Sequence, residues 1–423
     1  MRVVVVGGGW AGLLTAVNLR ARGVEDLVVL ERSAWPGGVA RSTVVDGYTL
    51  EPAAGSFLLP QPGLTPFVTG AVVPTATDQR HVWDGKRLVT VPSGPKAMLA
   101  PLASTPAKLR AVMEVAFPER FSEADESLDR FLRRRFGDEV GRTAAWLAAS
   151  GVFAGDPALL SAGASFPQLT ALVETHGSVI RGVFGSRRPR RKSFVPATTM
   201  SDLAEMVARP LGDRFRPGMT VDAVRRDANQ WVVDGSERFT AEHVVVAIDP
   251  AIAARLVGGE LGAALRGPVH APVVVVGLGG RWMELPEGFG VLTGPDAGTA
   301  TRGVLLESSY APHRAPHGAG LMKVIAGGAV RPDIVELDDD DVVDSVGNEV
   351  ARILGHDLDV SFVRVVRHRP GIPQYVLGHR EWMAGIDAAT PNSLHLTGWG
   401  YRGVGLSHLA ADAARIADRI AAA

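Results

Sequence analysis

The sequence contains no cysteine in its 423 residues. This absence excludes disulfides, thiolate nucleophiles, iron–sulfur clusters and thiolate zinc sites together. A chain without disulfides suits a reducing compartment, so we expect a cytoplasmic protein.

A net charge of one sign and long apolar runs are also lacking. The 44 basic and 45 acidic residues leave a formal charge of -1, so no long-range field favours nucleic acid, and small molecules are the expected partners. No uncharged apolar run approaches the ~18 residues that a membrane span requires. The opening residues lack the features of a signal peptide, so we do not expect export. Attachment to a membrane surface stays open.

A glycine-rich turn lies between a strand and a helix near the start of the chain. Residues 3–6 form a β-branched run, and residues 11–21 have helical composition. Between them, Gly7, Gly9 and Gly12 have the spacing G-x-G-x-x-G. This spacing allows a tight turn, a close approach of the backbone to a pyrophosphate, and close packing of helix on strand. We predict a dinucleotide site at the helix N-terminus; a merely structural turn is the alternative.

An acidic residue and a second glycine pair strengthen this prediction. Glu31 ends the next strand about 20 residues on, where a carboxylate accepts hydrogen bonds from ribose hydroxyls. Nicotinamide and flavin proteins share this fingerprint, so it leaves the cofactor open. Gly37 and Gly38 could meet the other side of a longer cofactor, and a solvent-exposed loop is the alternative.

The length is sufficient for two or three domains. In the middle of the chain the sequence pattern changes from strands to helices and then back to strands. Residues 79–92 predict a hairpin around Asp84-Gly85. A helical region follows, with Ser122 or Ser127 as N-caps and Gly151 past its end. The basic run 187–192 marks its boundary, and short strands then resume.

The order of motifs resembles the FAD-binding amine-oxidase superfamily, and within it the protoporphyrinogen oxidases. The superfamily motif joins Glu31 to Gly37-Gly38 and then to Arg41-Ser42. The narrower matches are DESLDRFLRRRFGDEV, GVFAGDPALLSAGASFPQL, ETHGSVIRG, GFGVL, SSYAPHRAP, IPQYVLGH and YRGVGL. The resemblance is collinear from residue 3 to the end of the chain.

The resemblance implies an α/β protein built from three parts. These are a discontinuous Rossmann-like FAD-binding domain, a mixed-sheet substrate domain and a helical membrane-facing domain. Their implied boundaries are 1–59, 193–259 and 391–423 for the first, 60–92 and 260–390 for the second, and 93–192 for the third.

The resemblance also implies which residues bind FAD. They are Gly7, Gly9, Trp10, Ala11, Gly12, Glu31, Arg32, Gly37, Gly38, Arg41, Gly55, Ser56, Val221, Val404, Gly405 and Leu406. Ala53 and Ala54 depart from the family's glycine-proline pair, which puts their own contacts in doubt. The last three residues precede the final helix, whose positive end would stabilise the negative charge of reduced flavin.

Four residues are implied to contact the substrate. Arg80 matches a hairpin arginine that pairs with a propionate, and a guanidinium suits a carboxylate, although an arginine at a hairpin edge is also commonly solvated. Leu292 and Leu306 would form apolar walls or could be core leucines. Ile325 stands where some family members stack an aromatic ring, so packing there would be aliphatic.

Other polar features are interpreted as non-catalytic. We expect His379 to be a hydrogen-bonded structural group, and Asp338 to Asp341 to be helix caps and not a metal site. The basic run 187–192 has three interpretations: a solvated loop, attraction to anionic lipid, or attraction to an acidic substrate. No general acid, base or nucleophile is predicted.

The predicted function is therefore flavin-dependent oxidation. The resemblance implies conversion of protoporphyrinogen IX to protoporphyrin IX with dioxygen, by hydride transfer from a methylene bridge to the flavin. Coproporphyrinogen III oxidation, a carotenoid or amine oxidase, and a catalytically silent tetrapyrrole-binding flavoprotein are the alternatives. A homodimer and contact with the inner face of the cell membrane are family-level expectations.

Overall fold

The structure is a computed structural model that describes residues 1–116, 125–185, 191–281, 283 and 285–423. Ser122, one of the two expected N-caps, lies outside the described residues. So do residues 187–190 of the basic run. Arg191 and Lys192, which end that run, are exposed.

The strands and helices alternate along the chain in the manner of an α/β protein. The strands are β1 Val3–Val6, β2 Leu27–Glu31, β3 Thr43–Val45, β4 Tyr48–Leu50, β5 Phe57–Leu59, β6 Val72–Pro74, β7 Arg80–Trp83, β8 Leu88–Val91, β9 Lys192–Pro196, β10 Phe215–Pro217, β11 Val221–Asp227, β12 Gln230–Gly235, β13 Phe239–Ala241, β14 His243–Val246, β15 Val269–Arg281, β16 Gly290–Thr293, β17 Thr301–Leu305, β18 Ala319–Gly327, β19 Phe362–Gln374 and β20 Leu394–Leu396. The α-helices are α1 Trp10–Ala21, α2 Thr65–Val68, α3 Thr105–Val112, α4 Leu128–Phe136, α5 Asp138–Phe153, α6 Ala162–Ser165, α7 Pro167–His176, α8 Val179–Gly185, α9 Met200–Ala208, α10 Pro250–Val257, α11 Gly259–Ala264, α12 Glu307–Tyr310, α13 Asp339–Leu354, α14 His379–Ala389 and α15 Leu406–Ala421. Short 3-10 helices span Gly94–Leu99, Met113–Val115, Arg209–Arg214, Pro312–Arg314 and Pro332–Glu336.

A five-stranded parallel sheet is built from the two ends and the middle of the chain. Its strand order is β10-β2-β1-β14-β20. Val3 and Val5 pack against α1, α9 and α15, whereas Val4 and Val6 face β11–β13, α10 and α14 on the other side. Burial on both faces explains why the expected strand 3–6 is a continuous β-branched run.

A seven-stranded mixed sheet forms the second layer, in the order β19-β15-β18-β17-β16-β7-β8. The expected hairpin is confirmed, since β7 pairs with β8 around Gly85, whose φ is +100°. Helix α13 covers one face through Val342, Val346 and Val350. The opposite face meets α5 and residues 51–56, and this face carries the candidate site.

The helical region contains α3 to α8 and lies along the chain between β8 and β9. Ser127 caps α4 by accepting a hydrogen bond from the Arg130 amide, as expected. Gly151 does not lie past the end of the following helix, so that expectation is wrong. Helix α5 continues to Phe153 and ends at Ala154, which has φ +44°. Among the described residues, no helix is both long and apolar enough to cross a membrane.

The predicted domain boundaries remain a prediction, but the strands can be compared with them. All strands of the parallel sheet fall within 1–59, 193–259 and 391–423, and all strands of the mixed sheet fall within 60–92 and 260–390. Strand β6 differs, because it joins β5 and β9 in a separate three-stranded sheet. Residues 72–74 fall in the predicted substrate segment 60–92. They pair instead with β9, which lies at the start of the FAD-binding segment 193–259.

Candidate active site

The carboxyl ends of the parallel strands converge on one edge of the five-stranded sheet. Gly7 follows β1, Glu31 ends β2, and Trp399 follows β20 by three residues. In open α/β sheets this edge forms the crevice in which nucleotides bind. The sheet order thus brings the two ends of the chain to a common site.

The three fingerprint glycines have different physical roles. Gly7 has φ +101°, and a Cβ there would lie 2.8 Å from the carbonyl oxygen of Ala247. A Cβ at Gly12 would lie 1.9 Å from the carbonyl oxygen of Gly7. A Cβ at Gly9 would meet only the Gly38 Cα, at 3.8 Å, which is ordinary contact. Gly7 and Gly12 are thus required by the fold, whereas Gly9 leaves room that only a ligand would use.

The second glycine pair lies directly on the first. Gly9 and Gly37 form an isolated parallel bridge, and the Gly37 amide donates to the Gly8 carbonyl at 2.9 Å. A Cβ at Gly38 would be 3.1 Å from the Gly9 Cα. The structure therefore brings together glycines that the sequence separates by about 30 residues, and bare backbone lines the site.

Glu31 is held by backbone amides at the end of β2. One carboxylate oxygen accepts from the Gly8 amide and the other from the Ser33 amide, both at 2.7 Å. This fixes the carboxylate at the crevice, with remaining lone pairs for ribose hydroxyls. The amide of Met219 donates to the Glu31 carbonyl at 2.8 Å, which brings Val221 to the same end of the sheet.

The two predicted arginines of this region are at the surface. Arg32 and Arg41 are both exposed, and the Arg41 guanidinium carbon lies 3.5 Å from the centre of the Trp35 ring. They flank the crevice and do not line its floor.

Two indole N–H groups are buried at the crevice without hydrogen-bond partners. Trp10 Nε1 and Trp399 Nε1 have none among the described residues, and an indole N–H is a donor only. The first turns of α1 and α15, which begin after Gly9 and Gly405, also lack side-chain caps. Orphaned donors, open helix N-termini and a glycine cradle fit a dinucleotide, whose phosphates and carbonyls are acceptors.

The C-terminal turn reaches this site just before α15. Val404 and Gly405 lead into Leu406, the first residue of the helix and 3% exposed. The Gly403 amide donates to the Tyr375 hydroxyl at 2.6 Å, which anchors the turn. A helix follows this turn as predicted, but it begins at Leu406, so Leu406 lies in its first turn and does not precede it. The N-terminus of the helix carries no side-chain cap.

Residues 51–56, here named the strap, run from β4 to β5 and contact both the core of the parallel sheet and Lys323 of the mixed sheet. Ala53 packs on the same core cluster as Trp10 and Trp399. Gly55 is buried, and Ser56 is half-buried. The strap therefore packs beside the tryptophans of the crevice, and contact of Gly55 and Ser56 with the cofactor stays a prediction.

The strand register of the mixed sheet places three predicted substrate residues on one face. Leu292 pairs with Val82 of β7 and with Gly303 of β17, and Gly303 pairs with Ile325 of β18. Arg80 precedes Val82 by two residues and so points to the same side. We call this side the substrate face.

Leu306 is a correction, because the structure does not bring it to the substrate face. Its side chain is fully buried in the core cluster under α13. Leu305 pairs with Gly290, the neighbour of Arg80, and takes the position on the substrate face. A shift of one residue along a strand moves a side chain to the other face, so Leu305 and not Leu306 lies on the substrate face.

Helix α5 covers one end of the substrate face and buries an arginine that no sequence motif singles out. A Cβ at Gly151 would lie 3.3 Å from Leu292, so the helix touches this wall. Arg302 is 1% exposed, lies 4.2 Å from the Trp146 ring centre and donates to Ser150 at 2.6 Å. Burial lowers the pKa of Arg302 to about 10.

His379 is packed as a structural group. It is 7% exposed, stacks on Tyr375 at 4.1 Å, and bonds to the Tyr401 carbonyl at 2.9 Å. Burial lowers its pKa, which favours the neutral ring. Asp338 likewise caps α13, by accepting from the Asp341 amide at 2.9 Å.

Fold and site together define a dinucleotide-dependent oxidoreductase with a broad apolar substrate face. Residues 10–384 match the model of the flavin containing amine oxidoreductase family. A chloroplastic protoporphyrinogen oxidase from Oryza sativa is 30% identical, over 91% of this chain and 81% of that protein. A coproporphyrinogen III oxidase from Bacillus subtilis is 26% identical, over 96% of this chain and 94% of that protein.

Among solved structures, a protein from Exiguobacterium, assigned provisionally as a protoporphyrinogen oxidase, superposes with a TM-score of 0.83 at 22% identity. The match covers 100% of this chain and 98% of that chain. This likeness shows the fold alone. The chain belongs to the flavin containing amine oxidoreductases and, within them, to the protoporphyrinogen oxidase family. Its cofactor is FAD, and it is an FAD-dependent oxidoreductase.

Proposed function

We propose that this enzyme oxidises protoporphyrinogen IX to protoporphyrin IX in heme synthesis, with dioxygen as the electron acceptor. The observation that carries the proposal is that the cofactor crevice and the substrate face lie next to each other. The strap beside the cofactor crevice crosses the same sheet face that holds Arg80, Leu292 and Ile325. A flat, largely apolar substrate with acidic edges suits this arrangement. Relatives at 26–30% identity carry porphyrinogen oxidase names.

The chain's own residues bind and orient the substrate. Leu292, Leu305 and Ile325 are half-buried and offer aliphatic contact to a macrocycle. Arg80 is exposed at the rim, 5.9 Å from the Phe289 ring centre, where it can pair with a carboxylate in solvent. Bound FAD supplies the two-electron acceptor. Correct orientation supplies most of the rate, so no side-chain nucleophile is required.

Coproporphyrinogen III is the second candidate substrate. It carries two propionates where protoporphyrinogen has vinyl groups, and one observation favours it. The relative from Bacillus subtilis carries that activity in its name.

One experiment separates these proposals. Each porphyrinogen is prepared by chemical reduction and mixed with the FAD-loaded protein, and porphyrin fluorescence and hydrogen peroxide are followed. We expect faster turnover of protoporphyrinogen, with peroxide formed. A preference for coproporphyrinogen would reverse the substrate assignment. Turnover of neither substrate, with FAD bound, would identify a silent tetrapyrrole-binding flavoprotein.

We also propose that the helical region rests on the cytoplasmic face of the cell membrane. Leu109 and Val112 of α3 are 66% and 52% exposed, and Phe184 of α8 is 70% exposed. Helix α8 packs on the turn that contains Met113, which directly follows α3. Exposed basic residues accompany them: Lys96, Arg110, Arg181, Arg191 and Lys192. Apolar groups among basic ones suit an anionic lipid surface.

Vesicle co-sedimentation tests the membrane proposal. We expect binding to phosphatidylglycerol vesicles, weaker binding to phosphatidylcholine, and loss of binding in Leu109→Ser/Phe184→Ser. Val269→Ser is the matched control, because Val269 is 62% exposed but lies at the start of β15. Equal binding by all three proteins would refute the assigned surface. Homodimer formation stays a prediction, which analytical ultracentrifugation can test.

A further inference from the structure

Three charged side chains of the substrate domain are buried together beneath the strap. Glu307 and Arg314 are fully buried, and Lys323 is 2% exposed. Glu307 pairs with Arg314 through one oxygen and with Lys323 through the other, at 3.2 Å. We call these residues the strap cluster. Burying several charges seldom stabilises a fold more than apolar packing would, so a further role is worth seeking.

The cations of this cluster bind the main chain of the strap. Lys323 Nζ donates to the carbonyls of Glu51 at 2.7 Å and Ala53 at 3.1 Å. Arg314 donates to the carbonyl of Gly55. These contacts hold the backbone and do not depend on the strap's side chains. The substrate domain therefore sets the position of a segment that lies beside the cofactor crevice.

Lys323 also belongs to the substrate face. It lies two residues before Ile325 on β18, so both side chains point to the same side of the sheet. It pairs in register with Leu305, the other apolar wall. One strand thus carries an apolar contact for the substrate and the cation that fixes the strap. Such a link would hold the distance between substrate and cofactor constant.

We propose that the strap cluster positions the strap against the flavin ring and that its charges tune the reduction potential of bound FAD. A buried cation near the ring favours the reduced, more negative flavin, and a buried anion opposes it. Lys323, Arg314 and Glu307 are positioning residues and do not react. The inference depends on the FAD cofactor and not on the proposed porphyrinogen substrate.

Two substitutions in the FAD-loaded protein test the charge effect by its sign. Lys323→Met removes a cation and should lower the flavin reduction potential, whereas Glu307→Gln removes an anion and should raise it. We expect each to change the equilibrium between reduced and oxidised flavin about tenfold, which is about 30 mV for two electrons. The potential is measured against a redox dye during slow reduction, without substrate.

The control is a second buried ion pair, far along the chain in the helical region. Glu114 is 3% exposed and pairs with Arg135 at 3.4 Å. Glu114→Gln should lower the melting temperature and leave the flavin potential unchanged. If Lys323→Met does not fold, the nearly isosteric Glu307→Gln decides alone by the sign of its shift. Unchanged potentials, or shifts of Lys323→Met and Glu307→Gln in the same direction, would overturn the proposal.

Discussion

The three glycines of the G-x-G-x-x-G motif are required for different physical reasons. At Gly7 and Gly12 the chain's own backbone occupies the space where a Cβ would stand. At Gly9 the protein leaves that space open, and the fingerprint predicts that the pyrophosphate approaches there. Function and folding can therefore be separated by single substitutions within six residues.

Gly9→Ala should fold normally but lose its cofactor. Its Cβ would be 3.8 Å from the nearest atom, so stability should hardly change. We expect FAD affinity to fall by more than about tenfold, which is ~1.4 kcal/mol. Flavin absorbance after purification, together with a titration of FAD into apoprotein, measures this.

Gly12→Ala is the matched comparison. Its Cβ would overlap the Gly7 carbonyl oxygen at 1.9 Å, so we expect a loss of about 3 kcal/mol in the free energy of unfolding. If Gly9→Ala purified with a full complement of FAD, the role assigned to Gly9 would be wrong.

Arg80→Ala should weaken substrate binding more than it affects the cofactor. Loss of a charge-assisted hydrogen bond at an exposed rim should raise KM for the porphyrinogen roughly tenfold, with FAD content unchanged. Arg87→Ala is the control, since Arg87 lies in the same hairpin and pairs with Asp84 at 3.3 Å. Steady-state kinetics decide the matter, and an unchanged KM would remove Arg80 from the site.

At the scale of elements, β14 and the edge strand β20 of the parallel sheet bring two histidines together. His395 of β20 is 4% exposed and stacks on His243 of β14 at 5.5 Å. Burial, with the neighbouring His243, lowers the pKa of His395 to about 3. The folded sheet therefore holds this ring neutral, and protonation of the ring would destabilise the folded state.

This pair predicts a pH dependence of stability. Below the unfolded pKa of about 6.5, the unfolded chain binds a proton that folded His395 does not, so stability falls as pH decreases. The contribution of neutral His395 to stability is complete well above pH 6.5. The free energy of unfolding should fall by about 2 kcal/mol between pH 7 and pH 5. Denaturant unfolding at the two pH values measures it.

His395→Gln should flatten this pH dependence, because the titrating ring is removed. His317→Gln, at an exposed histidine, should leave it unchanged. The same slope in wild type and His395→Gln would show that His395 does not titrate with folding.

At the scale of the whole molecule, FAD should act as part of the core. The crevice predicted to hold it lies at the ends of β1, β2 and β20, which come from both ends of the chain. A ligand that binds only this folded arrangement stabilises it by about 2.7 kcal/mol at 100 times its Kd. The melting temperature of the apoprotein should therefore rise steadily with FAD concentration. Gly9→Ala apoprotein should show little rise, and a wild-type melting temperature insensitive to FAD would contradict the expectation.

Local patterns in the sequence determined the strand-turn-helix at Gly7 to Gly12, the carboxylate at Glu31, the hairpin around Gly85 and the family resemblance. Each depends on neighbours along the chain or on a short motif, so no tertiary information was needed. The continuation of α5 through Gly151 to Phe153 was not predicted, because packing of α5 on Leu292 outweighs the local preference of glycine.

Only the tertiary structure decided which side chains meet. It placed Leu305 on the substrate face in place of Leu306, since strand register determines the face and a motif match can be wrong by one residue. It also revealed Arg302 and the strap cluster, because burial and partners separated by hundreds of residues give no local pattern. The glycine cradle was predictable from its spacing, whereas the charges and the sheet face that complete the site depend on long-range contacts.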